Sequence, residues 1–488
     1  MEPATALRTG ARLLWERSAS VLPVYLLASG LYGAARAPLV VAGVAAGWLL
    51  AASGRLDPLV DRVGPGGSVD VEPAGSGELP RSSLDVVLEL LTPGTVALVA
   101  GGVLVAAVLA VLASAVGNAA AVGGLYGLLR GDDGVAAAVS GVRRHWRSFV
   151  GVRLLLVAAV GAVLVPAGVV VAVAVGTVTA GGGGVGAAAL GATVALLGGL
   201  VAGLLVAAVL VLLAFADQAV VVDGVGAVAA AKRSVRLPVR RPVAVLGYVA
   251  VAVGGVVVAV VVGGVAATAG APRVAALVGT LLVPPVVDGF KTALYAELGL
   301  PSAPATGTSS TGRRVRSAFG GGLRSVGGFV RDHPAANLAS LACVTAAGAA
   351  GWVAANATGV DLPVGGDVGG VFGALPVGTF LNLAANNWLV AADLAYSGLA
   401  AGVPAVVSLG LNGLVIGAVA GVVDPLAFVA LVAPHGVIEI PAIVVGGAAG
   451  LHLGGVGIGA LRGRRGDGDV AAAIRRIYRV LLGLVPLF

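Results

Sequence analysis

The amino-acid sequence predicts an all-α fold, a bundle of helices that crosses a lipid bilayer about nine times. Hydrophobic residues occupy 58% of the 488 positions and charged residues only 11%, whereas soluble domains carry about 25% charged residues. The mean hydropathy is +1.03. Many apolar runs also exceed ~18 residues, the length that a membrane-spanning helix requires. Composition and run length together predict a polytopic membrane protein.

The apolar stretches fall into two groups. The N-terminal group is expected at approximately 21–52, 94–123, 150–177, 185–214, 243–269 and 274–296. The C-terminal group is expected at about 335–356, 376–400, 401–422 and 426–460. The stretch 376–400 is the weakest, because it contains three asparagines and Asp393. It either crosses the bilayer, lies in the interface or re-enters.

Composition divides the chain into two membrane modules. Residues 1–300 are predicted to form an N-terminal multi-span domain, with a polar extracytoplasmic insert at 53–92. Residues 301–328 begin with a Pro-Ser-Ala-Pro string and continue through Thr, Ser and Gly to several arginines. This composition is typical of a flexible, basic cytoplasmic linker. Residues 329–488 then form the second membrane domain.

The charge distribution predicts the orientation. The net charge of +7 lies mostly in short segments between the spans, where positive residues favour the cytoplasmic side. The insert 53–92 carries seven acidic residues and three arginines, so it is expected outside, as is the loop around Asp361 and Asp367. These placements predict a multi-pass protein of the cell membrane with a cytoplasmic N-terminus. Residues 1–18 are expected to form an interfacial amphipathic helix.

A short motif near the C-terminus carries a family resemblance. The string Ala433-Pro434-His435-Gly436-Val437-Ile438-Glu439-Ile440-Pro441-Ala442 resembles the hallmark of the stage II sporulation protein M family, a Pro-His-Gly segment closely followed by Glu and Pro. Supporting matches are Phe380 with Asn382, the Asn386-Asn387 pair, and Asn412-Gly413. The resemblance covers about residues 330–488. It implies a membrane protein that organises a cell-envelope remodelling complex.

The N-terminal domain is loosely similar to the membrane domain of glycerophosphodiester phosphodiesterases. The similarity is carried by Val222-Asp223-Gly224-Val225-Gly226, which leads into Ala231-Lys232-Arg233-Ser234-Val235-Arg236. It implies an amphipathic cytoplasmic helix between two spans. The catalytic barrel of those enzymes is absent from the chain.

The motif Pro434, His435, Gly436, Glu439 and Pro441 is the candidate functional site. His435 and Glu439 are four residues apart, so they share one face of a helix. They could form a structural pair in a helix broken between the two prolines, relay a proton or ion, or supply two metal ligands. No third ligand and no set of catalytic residues is evident, so neither a metal nor another cofactor is expected.

Polar side chains in the C-terminal domain form a second candidate feature. They either line a cavity or form hydrogen bonds between neighbouring helices. The residues concerned are Asn382, Asn386, Asn387 and Asn412.

Glycines recur at four-residue spacing in two of the C-terminal helices. Each set leaves a smooth helix face that another backbone can approach closely. We therefore expect close helix packing, within the domain, between copies of this chain or with protein partners. The two sets are Gly413, Gly417 and Gly421, and Gly446, Gly450 and Gly454.

The leading functional hypothesis is a non-enzymatic scaffold of a cell-envelope complex, whose partners are the lipid bilayer and other proteins rather than nucleic acid. The alternative is a transporter or channel with a polar site around His435 and Glu439. A membrane enzyme comes third. A transporter predicts polar groups from several spans facing one cavity at the same depth, whereas a scaffold requires none.

Overall fold

The computed structural model describes residues 1–56, 90–180, 185–301, 311–360 and 377–488. Their regular secondary structure is entirely helical, so the predicted all-α class is confirmed. Most of the predicted insert 53–92 lies outside the described residues, as do Asp361 and Asp367. The helices are α1 (Pro3–Glu16), α2 (Ser18–Ala34), α3 (Ala37–Ala52), α4 (Pro93–Leu129), α5 (Gly134–Ala180), α6 (Val185–Leu213), α7 (Ala216–Val222), α8 (Ala227–Arg240), α9 (Pro242–Thr268), α10 (Arg273–Leu281), α11 (Val283–Ala296), α12 (Thr311–Asp332), α13 (Pro334–Asn356), α14 (Val377–Ser397), α15 (Val403–Val422), α16 (Pro425–Leu461) and α17 (Asp467–Leu484), followed by a 3-10 turn at Val485–Leu487.

Nine helical segments among the described residues are long and apolar enough to cross a membrane. The chain is therefore a multi-pass membrane protein, as predicted; the cytoplasmic position of its N-terminus stays a prediction. The nine segments are Ser18–Ala52, Pro93–Leu129, Gly134–Gly176, Ala189–Val222, Pro242–Thr268, Arg273–Ala296, Pro334–Asn356, Val403–Val422 and Gly436–Leu461.

The helices form two compact units, each assembled from separate stretches of chain. The first unit comprises Met1–Val24, Ser114–Ala259 and Leu282–Ala303. Its core centres on the short helix α7, where Phe149 and Val152 of α5 pack against Ala216, Ala219 and Val220. Next to this core, Arg153 and Asp217 form an ion pair between α5 and α7.

The predicted N-terminal amphipathic helix is present as α1. Its buried face, which includes Gly10 and Leu13, packs on α11. A Cβ at Gly10 would lie 2.7 Å from the carbonyl oxygen of Val286, so the two backbones are in close contact. The α-amino group of Met1 lies 3.8 Å from a carboxylate oxygen of Glu297, which shows that α1 and α11 are antiparallel.

The second unit comprises Tyr25–Ala113, Val260–Leu281 and Pro304–Phe488. Of the predicted linker at 301–328, residues 302–310 lie outside the described part of the chain, and residues 311–328 belong to the regular helix α12. Gly322 and Phe329, two turns apart, bring this helix against α17: Gly322 meets the backbone at Gly483, and Phe329 is fully buried. Gly322 and Phe329 lie on the contact face of this amphipathic helix, whereas Arg313, Arg316 and Arg324 are exposed.

Helices α13 and α15 run parallel in direct backbone contact. A Cβ at Gly413 would overlap the carbonyl oxygen of Val344, and one at Gly417 would overlap that of Gly348. One turn further on, a Cβ at Gly421 would lie only 2.8 Å from the carbonyl oxygen of Trp352. The contacts advance by four residues on both helices together, which is possible only if the helices point the same way.

The second glycine set joins α16 to α14. Gly446 packs on Ala391, Gly450 on Leu394 and Gly454 on Gly402, just beyond the end of α14. These helices are therefore also parallel. The predicted glycine faces do make close helix contacts, and the partner helices belong to this chain.

The direction of these helices determines the path of α14. Because α13 and α15 are parallel, the chain must return between them from the end of α13 to the level at which α13 began. Helix α14 leads directly into α15 through the turn at 398–402 and makes this return. It therefore crosses the same depth as its neighbours, although it is not one of the nine strongly apolar segments.

We expect Gly417→Ala to lower the thermal unfolding temperature of the detergent-purified protein. The added methyl group would push α15 away from α13, and such overpacking lowers the free energy of unfolding by about 1–3 kcal/mol. The matched control is Gly410→Ala on the same helix, where a Cβ meets nothing within 4 Å. Equal unfolding temperatures for the two variants would contradict the close contact.

Candidate functional site between α14 and α16

The predicted motif lies on α16, which is helical from Pro425 to Leu461. The expected break between Pro434 and Pro441 is therefore wrong. A proline removes one backbone hydrogen bond, but a helix in an apolar medium retains its remaining bonds because no water can replace them. The side chains of Pro434 and His435 lie outside the described part of the structure, so the pairing of His435 with Glu439 stays a prediction.

Glu439 forms a polar contact between α16 and α14. The side-chain amide of Asn387 donates a hydrogen bond of 2.5 Å to Oε2 of Glu439. Asn386 in turn donates to the side-chain oxygen of Asn387 at 3.2 Å. The three residues form a short chain of hydrogen bonds across the parallel helices. A carboxylate at membrane depth is costly without such partners, and a hydrogen bond to a charged group contributes about 1.5–3 kcal/mol.

The other two asparagines of the predicted polar lining lie elsewhere. The side-chain oxygen of Asn382 accepts a hydrogen bond of 2.9 Å from the backbone N–H of Arg273, which satisfies an orphan donor at the start of α10. Asn412 donates to the carbonyl oxygen of Ser408, 2.8 Å away on its own helix. Asn382, Asn386 and Asn387 thus bond to residues of α10, α14 and α16, and Asn412 bonds within α15. A cavity lined by all four stays a prediction.

A further polar contact links α14 to α2. Ser29 donates a hydrogen bond of 3.2 Å to a carboxylate oxygen of Asp393, and Arg36 interacts electrostatically with the same carboxylate. Asp393 was recognised from the sequence only as a polar residue in a weak span. Its partner could not be identified, because Ser29 lies in a different part of the chain.

Two histidines that no sequence pattern connects are also in contact. The rings of His333 and His452 contact edge to face with centroids 4.3 Å apart, and His333 stacks on Phe329 at 4.6 Å. The cluster joins α16 to the junction between α12 and α13. Within the described ranges, no group of three or more His, Cys, Asp or Glu side chains is arranged to hold a metal ion.

Two open grooves lie on either side of α3 in the second unit. One, of about 620 Å³, is formed with α13 and α15; the other, of about 610 Å³, is formed with α4 and α15. Val41, Ala45 and Val407 contribute to both. All lining side chains are apolar, so these grooves suit hydrocarbon rather than a polar solute.

Residues 340–488 match the model of the family described as Stage II sporulation protein M. The C-terminal part of the chain is thus similar to that family. The predicted resemblance is confirmed from Ser340, within α13, to Phe488, and the matched residues include both Asn387 and Glu439. The looser resemblance of the N-terminal part to the membrane domain of glycerophosphodiester phosphodiesterases finds no support. No curated protein and no solved structure matches the chain.

We expect Asn387→Leu to destabilise the second unit by about 1–3 kcal/mol, because it removes a donor from the Glu439 carboxylate. The matched control is Asn412→Leu, which removes a bond only within its own helix and should change stability less. Thermal unfolding of both variants in one detergent measures the difference. A larger loss for Asn412→Leu would contradict the cross-helix role of Asn387.

Proposed function

We propose that the protein is a non-enzymatic membrane scaffold that holds together a complex of the cell envelope. The similarity of residues 340–488 to the Stage II sporulation protein M family supports this assignment. The structural observation that carries it is that the polar side chains bond to different partners. Asn387 binds Glu439, Asn382 caps α10 and Asn412 bonds within α15, so these side chains serve as individual structural links.

The glycine faces constrain how partners could be held. Both sets are covered by the chain's own helices, α13 on one and α14 on the other. They stabilise the unit itself, and a partner protein must engage other surfaces. A unit whose glycine faces are covered by its own helices is suited to a scaffold, because it can bind partners through its outer surface without reorganising its interior.

A transporter or channel is the second candidate. It is favoured by Glu439, an ionisable residue on a membrane-spanning helix with amide groups beside it, since such residues frequently mark ion or substrate pathways. Against it, the two grooves beside α3 have apolar linings. Neither groove is lined by Glu439 or by its hydrogen-bond partner Asn387.

Glu439→Gln separates the two functions. The glutamine keeps a side-chain oxygen that can accept from Asn387 and removes only the charge. If the protein is a scaffold, the tagged variant will co-purify from native membranes, in mild detergent, with the same stoichiometric proteins as the native chain. Mass spectrometry of the eluate measures this.

Glu439→Leu is the comparison variant, because it removes the hydrogen-bond acceptor for Asn387 as well as the charge. We expect it to lower membrane abundance and partner recovery together. The scaffold proposal fails if the native chain elutes alone, or if Glu439→Gln abolishes solute flux into reconstituted vesicles that the native chain supports.

A further inference from the structure

Helix α8 lies at one end of the membrane-spanning helices of the first unit. Only residues 223–241 separate the apolar segments Ala189–Val222 and Pro242–Thr268, and α8 occupies most of that interval. The Oγ atom of Ser234, in the middle of α8, donates to the carbonyl oxygen of Leu212 at 2.6 Å and accepts from the N–H of Phe215 at 3.1 Å. These bonds place α8 directly on the end of α6.

The buried face of α8 is narrow. Ala230 and Ser234, one turn apart, are the buried residues of the helix. Ala227, near the start of α8, packs closely on Gly151 of α5. A Cβ added to Gly151 would lie 2.6 Å from the Cβ of Ala227. The helix is thus anchored on α5 and α6 along one side, and the residues on the opposite side are exposed.

The open side carries a row of valines. Val228, Val235 and Val239 are 59%, 43% and 86% exposed. Their spacings of seven and four residues place them on one face of the helix, roughly opposite the buried pair. Exposed valines on a helix at the bilayer surface can enter the boundary between headgroups and acyl chains.

A basic row runs beside the valines. Lys232, Arg236 and Arg240 follow at four-residue spacing, so they form a continuous stripe. All three are exposed, and none of them forms an ion pair with another residue of the described chain. The neighbouring arginines differ: Arg233 lies 2.5 Å from Asp223 and Arg241 lies 2.5 Å from Glu297.

We propose that this stripe of Lys232, Arg236 and Arg240 binds the headgroups of anionic phospholipids. The valine row fixes the helix in the bilayer surface, and the unpaired cations then face the headgroup layer, where anionic lipids concentrate. Asp223 and Glu297, which lie near the helix, are already paired with Arg233 and Arg241. A role in orientation alone would require only the number of positive charges, not three unpaired ones aligned on one exposed face.

The test is native mass spectrometry of the full chain in detergent, titrated with phosphatidylglycerol or phosphatidylcholine. We expect the native chain to retain phosphatidylglycerol preferentially. The triple variant K232Q/R236Q/R240Q should lose at least about tenfold in apparent phosphatidylglycerol affinity, since three surface cations are removed. The matched control R233Q/R241Q removes two charges that are already paired and should keep the native preference.

Two further measurements keep the outcome decisive if the triple variant folds poorly. The charge-conserving variant K232R/R236K/R240K should bind as the native chain does. Raising the salt concentration from about 50 mM to about 500 mM should weaken binding to the native chain, because the sites are exposed and therefore screened. Equal retention of both lipids by the native chain, or undiminished phosphatidylglycerol binding by a folded triple variant, would overturn the proposal.

Discussion

The second unit depends on direct backbone contact between α13 and α15. In a bilayer, apolar side chains gain little by leaving lipid for protein, so helices associate through close van der Waals contact and interhelical hydrogen bonds. Gly413, Gly417 and Gly421 place no side chain of α15 at three successive turns of the contact, and α13 supplies backbone carbonyls directly opposite. The four-residue repeat also fixes the register and the parallel direction, since the glycines meet successive turns of the partner.

This parallel contact accounts for the position of α14. The chain must return between α13 and α15, and the returning helix packs inside the unit against α16 and α17. Its C-terminal half is buried, including Ala391, Leu394 and Tyr396. Trp388 and Tyr396 donate hydrogen bonds to backbone carbonyls of α17. A helix covered by protein can carry Asn, Asp and Tyr, which explains why the least apolar of the predicted spans lies within the unit.

Local sequence patterns predicted the all-α class, the membrane spans and the two glycine faces. The length of an apolar run and the four-residue spacing of glycines are properties of residues close together in the sequence. The first predicted stretch, 21–52, is divided at Arg36 into α2 and α3. Contacts between distant residues were not foreseeable: Ser29 with Asp393, His333 with His452, and Asn387 with Glu439. The glycines of α12 and the prolines of α16 did not prevent regular helices. Gly322 packs α12 against α17, and α16 keeps its remaining backbone hydrogen bonds because no water can replace them in an apolar medium.

The return of α14 is tested most directly by labelling single cysteines from the two faces of the membrane. Cys343 is the only native cysteine, so Cys343→Ser gives a clean background for Thr358→Cys, Ala400→Cys and Leu426→Cys. With an impermeant thiol reagent on right-side-out and inverted vesicles, Thr358→Cys and Leu426→Cys should react from one face and Ala400→Cys from the other. Reaction of all three from the same face would contradict the crossing of α14 and the parallel pairing behind it.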